Sequence, residues 1–317
     1  MFKEKKILVT GGSGLIGQNL IKKLLDCGAQ IRTVVGKRPL HSDIYSRVEK
    51  IQTDLSNPIN CKDVMKDIQF VFHLAAFVGG VKQNLEHPAT MISRNIPLNS
   101  NVIKAANDAG VEKYLYMSCG CVYPDIQGML TEDMAWNGPP ASGAIHFGWT
   151  KRMGELETRA YQDEFGLKTA IVRPSNAYGP GDLYDEYRSH VVPALIIKAR
   201  KKSNPFTIWG DGKSRRDFIF VDDVVEGLLL AIEKHTAGDP INISTGISTS
   251  IKELTQKILS ISENENSEIL CESEELKGSS SKILSIEKST RILNFHPKFS
   301  LDEGLKKTID SYFSNNY

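Results

Sequence analysis

The stretch Ile7–Gly17, ILVTGGSGLIG, decides the fold class of this chain. An apolar, β-branched run leads into three glycines at three-residue spacing, Gly11, Gly14 and Gly17, and a helical pattern follows at once. The first glycine permits a tight turn, the second lets the backbone approach a pyrophosphate, and the third lets the helix pack on the strand. The helix start offers free N–H groups and positive dipole to phosphate. The stretch therefore predicts a dinucleotide-binding βαβ unit.

Outward from this turn, the first 175 residues alternate short β-branched runs with helical patterns, which is typical of a parallel sheet. We expect an α/β fold, a Rossmann-type doubly wound parallel sheet with a smaller C-terminal substrate-binding lobe. The expected strands are Lys6–Thr10, Ile31–Val35, Val48–Thr53, Phe70–Leu74, Lys113–Ser118 and Thr169–Arg173, and the expected helices include Leu15–Cys27, Pro97–Ala109 and Thr150–Phe165.

The pattern changes after Arg173, where prolines and glycines crowd the segment 174–181 and indicate a loop that leaves the sheet. We therefore assign residues 1–174 to the dinucleotide-binding domain, with a return to it near 218–245. The smaller lobe takes residues 175–217 and 246–317. At 317 residues, the chain has room for one large α/β unit with such a lobe attached.

Charge and composition exclude several functional classes. Lys plus Arg number 39 and Asp plus Glu 38, which leaves a net charge of +1 and argues against a nucleic-acid binder or a membrane-surface protein. No apolar run approaches the roughly 18 residues of a membrane span, and the N-terminus is read as a first strand and not as a signal peptide. The five cysteines are scattered without a CxxC pair, so we expect neither a disulfide framework nor a metal site, and a reducing cytoplasm is the expected compartment.

The end of the second strand selects the cofactor. An acidic residue there would bind the adenosine ribose of NAD and repel a 2′-phosphate, whereas this chain has Lys37 and Arg38 and no acid. NADP is therefore favoured over NAD. Alternatively, Lys37 and Arg38 are simply solvated charges of a loop. Asp54, after the third strand, is a candidate adenine contact or, alternatively, the cap of a helix that begins near Pro58.

Further motifs of the chain resemble those of a known protein family. They are HLAA at 73–76, SCGCVYP at 118–124, HFGWTKRMGE at 146–155, RPSNAYGPGD at 173–182 and RRDFIFVDD at 215–223. Together with the glycine turn they make the chain resemble the extended short-chain dehydrogenase/reductases of the NAD-dependent epimerase/dehydratase family, which modify nucleotide sugars. Within that family it is most similar to the GDP-L-fucose synthases, through HLAAFVGGV at 73–81, NSNVIKAA at 99–106, CVYP at 121–124 and SHVVPAL at 189–195.

The resemblance implies an activity on GDP-4-keto-6-deoxy-mannose, namely epimerisation at C3 and C5 followed by reduction of C4 with NADPH. The positions of the epimerising acid/base pair match Cys121 and His190. A hydrogen beside a ketone is acidic, and a thiol and an imidazole both titrate near working pH, so such a pair can remove and return the proton. The alternative remains that Cys121 is a small buried hydrophobe and His190 an ordinary helix-start residue.

The resemblance also implies the binding residues and a homodimer formed by helices of the first domain, including the helix that bears Lys151. Lys151 is expected to touch the nicotinamide ribose and supply a positive field. The expected nucleotide-sugar contacts are Asn176, Lys198, Trp209 and Arg216, since Lys and Arg suit a diphosphate and Trp offers a flat apolar wall. The expected cofactor contacts are Gly11, Gly14, Leu15, Ile16, Gly17, Lys37, Arg38, Asp54, Leu55, Ala75, Lys151, Pro174 and Asn176.

Two positions depart from the family pattern. The slot of the family's catalytic tyrosine holds Phe147, and the slot of its serine or threonine holds Cys119. A phenyl ring has no proton to give, and the loss of a positioned general acid costs about 10²–10⁴-fold in rate. Three explanations stay open: an engineered Tyr→Phe exchange, a natural enzyme that epimerises without completing the reduction, or another donor such as Cys119 or a water held by Lys151. Tyr123 and Tyr178 are further hydroxyls expected near the cleft.

Two other functions remain as alternatives. One is a C4 ketoreductase or 4-epimerase on another nucleotide sugar, with Cys121 and His190 incidental. The other is a catalytically silent NADP-binding sensor, suggested by the two substituted redox positions. A sugar 4,6-dehydratase fits poorly, because the resemblance implies that those enzymes share a Thr-Asp-Glu triplet at this place. This chain has Cys119-Gly120-Cys121 there and no carboxylate.

Overall fold

Strands and helices alternate along the computed structural model, which describes residues 1–36, 38–185, 189–272 and 282–314. The strands are β1 (Lys6–Thr10), β2 (Gln30–Val35), β3 (Glu49–Gln52), β4 (Phe70–His73), β5 (Lys113–Met117), β6 (Gly128–Leu130), β7 (Lys168–Pro174), β8 (Asn176–Tyr178), β9 (Phe206–Trp209), β10 (Arg215–Arg216), β11 (Phe218–Phe220), β12 (Pro240–Ile243), β13 (Thr249–Ser250), β14 (Ile269–Glu272) and β15 (Lys282–Leu284). The helices are α1 (Leu15–Asp26), α2 (Ser42–Tyr45), α3 (Pro58–Val64), α4 (Val81–Glu86), α5 (Pro88–Asp108), α6 (Ile145–Phe165), α7 (Val191–Arg200), α8 (Val221–Lys234), α9 (Ile251–Ile261), α10 (Glu287–Leu293) and α11 (Leu301–Ser314).

The central element is a seven-stranded sheet in the order β12-β7-β5-β4-β1-β2-β3, and its pairings are all parallel. Successive side chains of a strand point to opposite faces. Accordingly Ile7 and Val9 join a core with α1 and α8, while Leu8 joins a second core with α3 and α5. Helices therefore cover both faces, and the expected doubly wound α/β class is confirmed.

The later part of the chain adds a third core, in which α7, α9 and α11 pack around residues such as Phe206 and Ile208 of β9. Beside it lies a small sheet in the order β13-β10-β15-β6, which places Arg216 of β10 next to Lys282 of β15. In the part of the chain that the structure describes, every helix is too short or too polar to span a bilayer.

Two helices begin earlier than the sequence patterns predict. Helix α5 begins at Pro88 and not at Pro97, which lies inside it. A proline is favoured in the first helical turn because its missing N–H has no helical partner there, so Pro97 was a reasonable start signal, but Pro88 occupies that position. Helix α6 begins at Ile145 and not at Thr150, so Phe147 and Lys151 are one turn apart on the same helix.

A buried ion pair joins β7 to α6. Arg173 donates from Nε and Nη2 to the two carboxylate oxygens of Glu155, at 2.8 and 2.6 Å, and both residues are buried. Burial alone would lower the pKa of Arg173, but the Glu155 carboxylate raises it above its ordinary value. Nη1 donates to the Tyr123 hydroxyl at 3.0 Å and to the Glu132 carbonyl at 2.7 Å. The guanidinium therefore links β7, α6 and the segment after β5.

We expect Glu155→Gln to lower the free energy of unfolding by about 3 kcal/mol, because it leaves a buried guanidinium without its counter-charge. Urea unfolding measures the loss. The matched control is Asp108→Asn, which breaks the exposed Lys104–Asp108 pair and should leave the free energy of unfolding almost unchanged. Equal losses in the two variants would contradict a structural role for the buried pair.

Candidate active site

The glycine turn between β1 and α1 is a backbone cradle. Gly11 has a φ of +72°, and a Cβ there would lie 2.9 Å from the backbone nitrogen of Ala75. A Cβ on Gly17 would clash with the Gly11 carbonyl oxygen, whereas a Cβ on Gly14 would meet only that oxygen, at 3.3 Å. Gly14 caps α1 with extended backbone. Because side chains are excluded and the helix N-terminus is open, the turn fits the pyrophosphate of a dinucleotide.

A buried polar link fixes the two strand ends beside the cradle. The Thr10 hydroxyl lies 2.8 Å from Nδ1 of His73 and accepts hydrogen bonds from the backbone N–H groups of Leu74 and Ala75, both at 3.1 Å. Burial lowers the pKa of His73 to about 3, so its imidazole is neutral at working pH. The link holds the carboxyl ends of β1 and β4 together, with Ala75 against Gly11.

At the end of β2, Arg38 donates from Nη2 to the backbone carbonyls of Gly181 and Asp182, each at 2.6 Å. Lys37 lies outside the described residues. The exposed Asp54 accepts a hydrogen bond from the Ser56 N–H at 2.9 Å, which is the first cause of its lowered pKa. The alternative role of Asp54 as a helix cap is wrong, because Asn57 caps α3 by accepting from Ile59. Leu55 beside it is buried.

The turn after β5 corrects one expectation. Cys119 and Cys121 are joined in a disulfide with their Cα atoms 5.4 Å apart, although the scattered cysteines predicted no such bond. A 3₁₀ turn over Gly120–Val122 folds the chain back between them, which brings the two sulfur atoms together. The turn lies against the start of α6, since a Cβ on Gly148 would be 2.9 Å from the Cys121 carbonyl oxygen. In the disulfide, neither sulfur carries a proton.

Lys151 and Phe147 lie one turn apart on α6. The buried Lys151 donates to the Met117 carbonyl at 2.7 Å, and its Nζ lies 5.5 Å from the centre of the Phe147 ring and 5.0 Å from that of Tyr116. Burial lowers the pKa of Lys151 to about 8, against the opposite effect of Glu155. The amine is therefore a cation that gives up its proton in mildly alkaline solution.

The expectation that Tyr123 and Tyr178 are hydroxyls of the cleft is wrong. Both are buried, and the Tyr123 hydroxyl donates to Oδ1 of Asn242 at 2.6 Å while Tyr178 donates to the Leu301 carbonyl at 3.3 Å. Each is an aromatic residue whose neighbours bury it completely, which the sequence alone does not reveal. The buried Ser118 hydroxyl, directly before Cys119, has no hydrogen-bond partner among the described residues.

His190 caps α7 and is exposed. Near it lies Asp182, which is 5% exposed and accepts from the Leu183 N–H at 2.7 Å through one oxygen. Burial raises the pKa of Asp182, and the charges of His190 and Arg38 act in the opposite direction. The sequence reasoning did not single out Asp182; its place in the motif GPGD was the available signal. The segment that holds it packs on α1, since Asn19 donates to the Pro180 carbonyl at 3.1 Å.

The residues expected to contact the nucleotide sugar lie in the part of the chain that follows β7. Lys198 of α7 donates to the Thr207 carbonyl at 2.9 Å, and Trp209 of β9 is 73% exposed. Arg216 is half-buried and its pKa is lowered by burial. Asn176 is exposed and donates to the Asp217 carbonyl at 2.8 Å, and Pro174 is buried at the end of β7.

The family model described as "NAD dependent epimerase/dehydratase family" matches residues 7–244. A GDP-L-fucose synthase of Sinorhizobium fredii is 30% identical over 98% of this chain and 96% of its own length. A GDP-mannose 3,5-epimerase of rice, Oryza sativa subsp. indica, is 30% identical over 82% of this chain and 69% of its own length. The UDP-glucose 4-epimerase of Thermotoga maritima, solved with UDP-glucose, superimposes with a TM-score of 0.88 at 28% identity, covering 98% of this chain and 99% of that one.

We expect Gly14→Ala to weaken dinucleotide binding at least about tenfold, because its Cβ would separate the backbone from the pyrophosphate. The fold should survive within about 1 kcal/mol, since that Cβ meets little else. Fluorescence titration with NADPH and thermal melting measure the two effects. Gly17→Ala is the comparison: its clash with Gly11 should lower the melting temperature. An unchanged affinity in Gly14→Ala would contradict the assignment of the turn to the pyrophosphate.

The lowered pKa of Lys151 gives a pH-dependent stability. Between its folded value of about 8 and the ordinary 10.5, the unfolded chain binds more protons, so stability should rise with pH. Relative to Lys151→Met, the wild type should gain up to about 3 kcal/mol from pH 7.5 to 10.5. Urea unfolding of both proteins at the two pH values measures this double difference. A difference that is constant with pH would show that the folded lysine titrates normally.

Proposed function

The chain belongs to the NAD-dependent epimerase/dehydratase family, and from that premise we propose that it is an NADP-binding nucleotide-sugar epimerase/reductase. Its proposed substrate is a GDP-linked 4-keto-6-deoxy hexose, epimerised at C3 and C5 and then reduced at C4. The GDP-linked choice is supported by the sequence relatives, because the S. fredii protein is a GDP-L-fucose synthase and matches almost end to end. Residues 175–217 and 246–317 form the proposed sugar-nucleotide lobe.

The proton transfers are assigned to Cys121 and His190. In its reduced form Cys121 carries a thiol in the turn after β5, while His190 is exposed at the N-terminus of α7. Removal and return of a proton on opposite faces of a sugar require two separate groups, and the proposal assigns these two roles to Cys121 and His190. Asp182 lies close enough to His190 for the charge of that histidine to act on the pKa of the carboxyl.

The observation that carries the proposal is the position of Lys151. Its ammonium is buried at the end of β5, next to the ring of Phe147 and on the helix whose start contacts the Cys119–Cys121 turn. Among the described residues no carboxylate forms an ion pair with Lys151, although the charge of Glu155 acts on it. A buried cation of this kind is costly, and such groups are concentrated at functional sites. Lys151 is proposed to hold the nicotinamide ribose and to bias the ketone oxygen toward negative charge.

The turn containing Gly11, Gly14 and Gly17 is proposed to hold the dinucleotide, with Leu15, Ile16, Leu55, Ala75, Pro174 and Asn176 around it. When bound, the cofactor supplies the hydride for C4. NADP is proposed over NAD because Arg38, fixed to the 181–182 carbonyls, stands at the end of β2 where NAD-selecting proteins have an acid. Arg216, Lys198 and Trp209 are proposed to hold the nucleotide diphosphate and base.

A second candidate is an epimerase that leaves C4 unreduced. Phe147 favours it, since the described hydroxyls of Tyr123 and Tyr178 are engaged in the protein interior and cannot replace the missing phenol. The rice relative, a GDP-mannose 3,5-epimerase, has a name consistent with such an activity. The same acid/base pair serves both candidates, so they differ only in the fate of the C4 ketone.

A homodimer through α6 is part of the proposal. Trp149, Met153 and Leu156 recur at the spacing of one helix face and are 46%, 45% and 47% exposed. The same helix buries Lys151 on its other side. A second copy of the chain would cover this apolar stripe, as large exposed apolar patches are typical of interfaces.

Incubation of the reduced protein with GDP-4-keto-6-deoxy-mannose in deuterated water should place deuterium at C3 and C5, because the proton returned to carbon comes from groups in exchange with solvent. Mass spectrometry and NMR of the recovered sugar measure the label. His190→Asn, which keeps a polar side chain but does not titrate, should slow labelling about 10²-fold or more.

In the same assay Phe147→Tyr should raise the rate of NADPH oxidation about 10²–10⁴-fold by restoring a proton donor, and NADPH should be used in preference to NADH. Label without NADPH oxidation in the wild type would select the second candidate. If neither the wild type nor Phe147→Tyr labels the sugar, the epimerase proposal fails. NADPH oxidation without label would indicate a simple ketoreductase instead.

A further inference from the structure

The turn after β5 carries two sulfur atoms that the structure joins. We propose that Cys119 and Cys121 are a redox modification site: their reversible disulfide removes the Cys121 thiol and stops epimerisation, and its reduction restores it. This inference rests on the proposed function, in which that thiol transfers a proton. The reagents of the proposed site are small thiols and disulfides.

The backbone brings the two sulfurs within bonding range. Cys119 is extended, and the following 3₁₀ turn is closed by hydrogen bonds from Val122 N–H to the Cys119 carbonyl at 3.3 Å and from Tyr123 N–H to the Gly120 carbonyl at 3.4 Å. The resulting Cα–Cα distance of 5.4 Å falls within the usual range for disulfides. A Cβ on the intervening Gly120 would face Leu284 and the Pro174 carbonyl, each at 3.7 Å.

The turn is held from outside the cysteine pair. Arg152 donates to the Val122 carbonyl from Nε and Nη2, at 2.9 and 2.7 Å, and the Ala141 N–H donates to the Cys121 carbonyl at 3.3 Å. Tyr123 is buried, with its hydroxyl bonded to Asn242 and Arg173. Because these contacts do not involve the sulfurs, the bond can form and break with the backbone of the turn in place.

Exposure separates this pair from another cysteine of the chain. Cys119 and Cys121 are half-buried and open to small reagents, whereas Cys61 is fully buried and burial raises its pKa to about 12. A thiol with so high a pKa has almost no thiolate, which is the reacting form. Cys27 and Cys271 are unbonded as well. The reactive dithiol is therefore the pair in the candidate active site.

The proposed reaction is thiol–disulfide exchange with a low-molecular-weight disulfide. The thiolate of one cysteine attacks the small disulfide, forms a mixed disulfide and releases one small thiol. The second cysteine then loses its proton, attacks the mixed disulfide and releases the second small thiol. Two cysteine sulfurs are oxidised by two electrons in total, the small disulfide is reduced by two, and the cysteine protons end on the released thiols.

Position 119 departs from the pattern that the family resemblance implies. That resemblance implies Ser or Thr at the slot of Cys119, and a hydroxyl cannot form the bond. Cys119→Ser is therefore the informative variant, because it keeps the thiol of Cys121 and removes its partner. Cys271→Ser is the matched control, since it removes an exposed thiol far along the chain, in β14.

The experiment compares each full-length protein with itself after treatment with dithiothreitol or with oxidised glutathione. Alkylation by N-ethylmaleimide followed by peptide mass spectrometry counts the thiols of residues 119 and 121, without reference to activity. Deuterium entry into GDP-4-keto-6-deoxy-mannose gives the epimerisation rate. In the wild type and in Cys271→Ser, oxidation should block alkylation of both cysteines and lower the labelling rate about 10²-fold or more, and dithiothreitol should restore it.

In Cys119→Ser, oxidised glutathione can leave only a mixed disulfide at Cys121, so peptide mass spectrometry should find glutathione on that cysteine, whereas the oxidised wild type should carry the 119–121 disulfide and no glutathione. The inference is overturned if both wild-type cysteines stay alkylatable after oxidised glutathione, or if the disulfide forms and the labelling rate does not change. Glutathione on Cys121 of the oxidised wild type, without the 119–121 disulfide, would also overturn it, since a mixed disulfide would then be the cause of the lost rate. If the reduced wild type and reduced Cys119→Ser incorporate no label, the proposed function itself fails, and the alkylation pattern still shows whether the disulfide exists.

Discussion

The guanidinium of Arg173 holds the segments of the candidate site in one arrangement. It lies at the end of β7, binds both oxygens of Glu155 on α6, and reaches the Tyr123 hydroxyl beyond β5. Tyr123 in turn donates to Asn242 of β12. A planar donor with fixed geometry can satisfy such partners only in one relative position. One buried charge therefore fixes the relative position of the helix that carries Lys151 and the turn that carries Cys121.

The ammonium of Lys151 keeps a stabilising environment although Phe147 occupies the slot of the family's tyrosine. Its ammonium is buried and has the Met117 carbonyl as a hydrogen-bond acceptor, and the rings of Phe147 and Tyr116 lie within 6 Å. The negative face of an aromatic ring stabilises a cation whether or not the ring bears a hydroxyl. Phe147 thus keeps the packing and part of the electrostatic environment of a tyrosine, while it removes the proton that a tyrosine would donate.

The fold class followed from the sequence because its strongest signals are local. The strand-turn-glycine pattern of 7–17 and the β-branched runs up to Arg173 each specify their own backbone, and the parallel sheet confirms them. Helix starts were less predictable, since Pro88 and Pro97 both satisfy the preference of the first turn and only tertiary packing selects between them. The burial of Tyr123 likewise depends on Arg173 and Asn242, which are distant in sequence. The roles of Cys121 and His190 stay predictions, because a role depends on a bound substrate.

The two departures from the family pattern differ in physical kind. Replacement of a phenol by a phenyl ring at Phe147 removes a donor permanently, and no solution condition returns it. Replacement of a hydroxyl by a thiol at Cys119 is conditional: the reduced side chain is still a weak donor, and the oxidised one is a covalent clamp on Cys121. Phe147 lies beside Lys151, and Cys119 stands at the start of the turn after β5. Under the proposed function, the first departure would remove a fixed source of protons and the second would add a chemical state that depends on the surroundings. The proposed redox dependence is confined to the turn after β5, because the cradle at Gly11 is built from backbone and contains no sulfur.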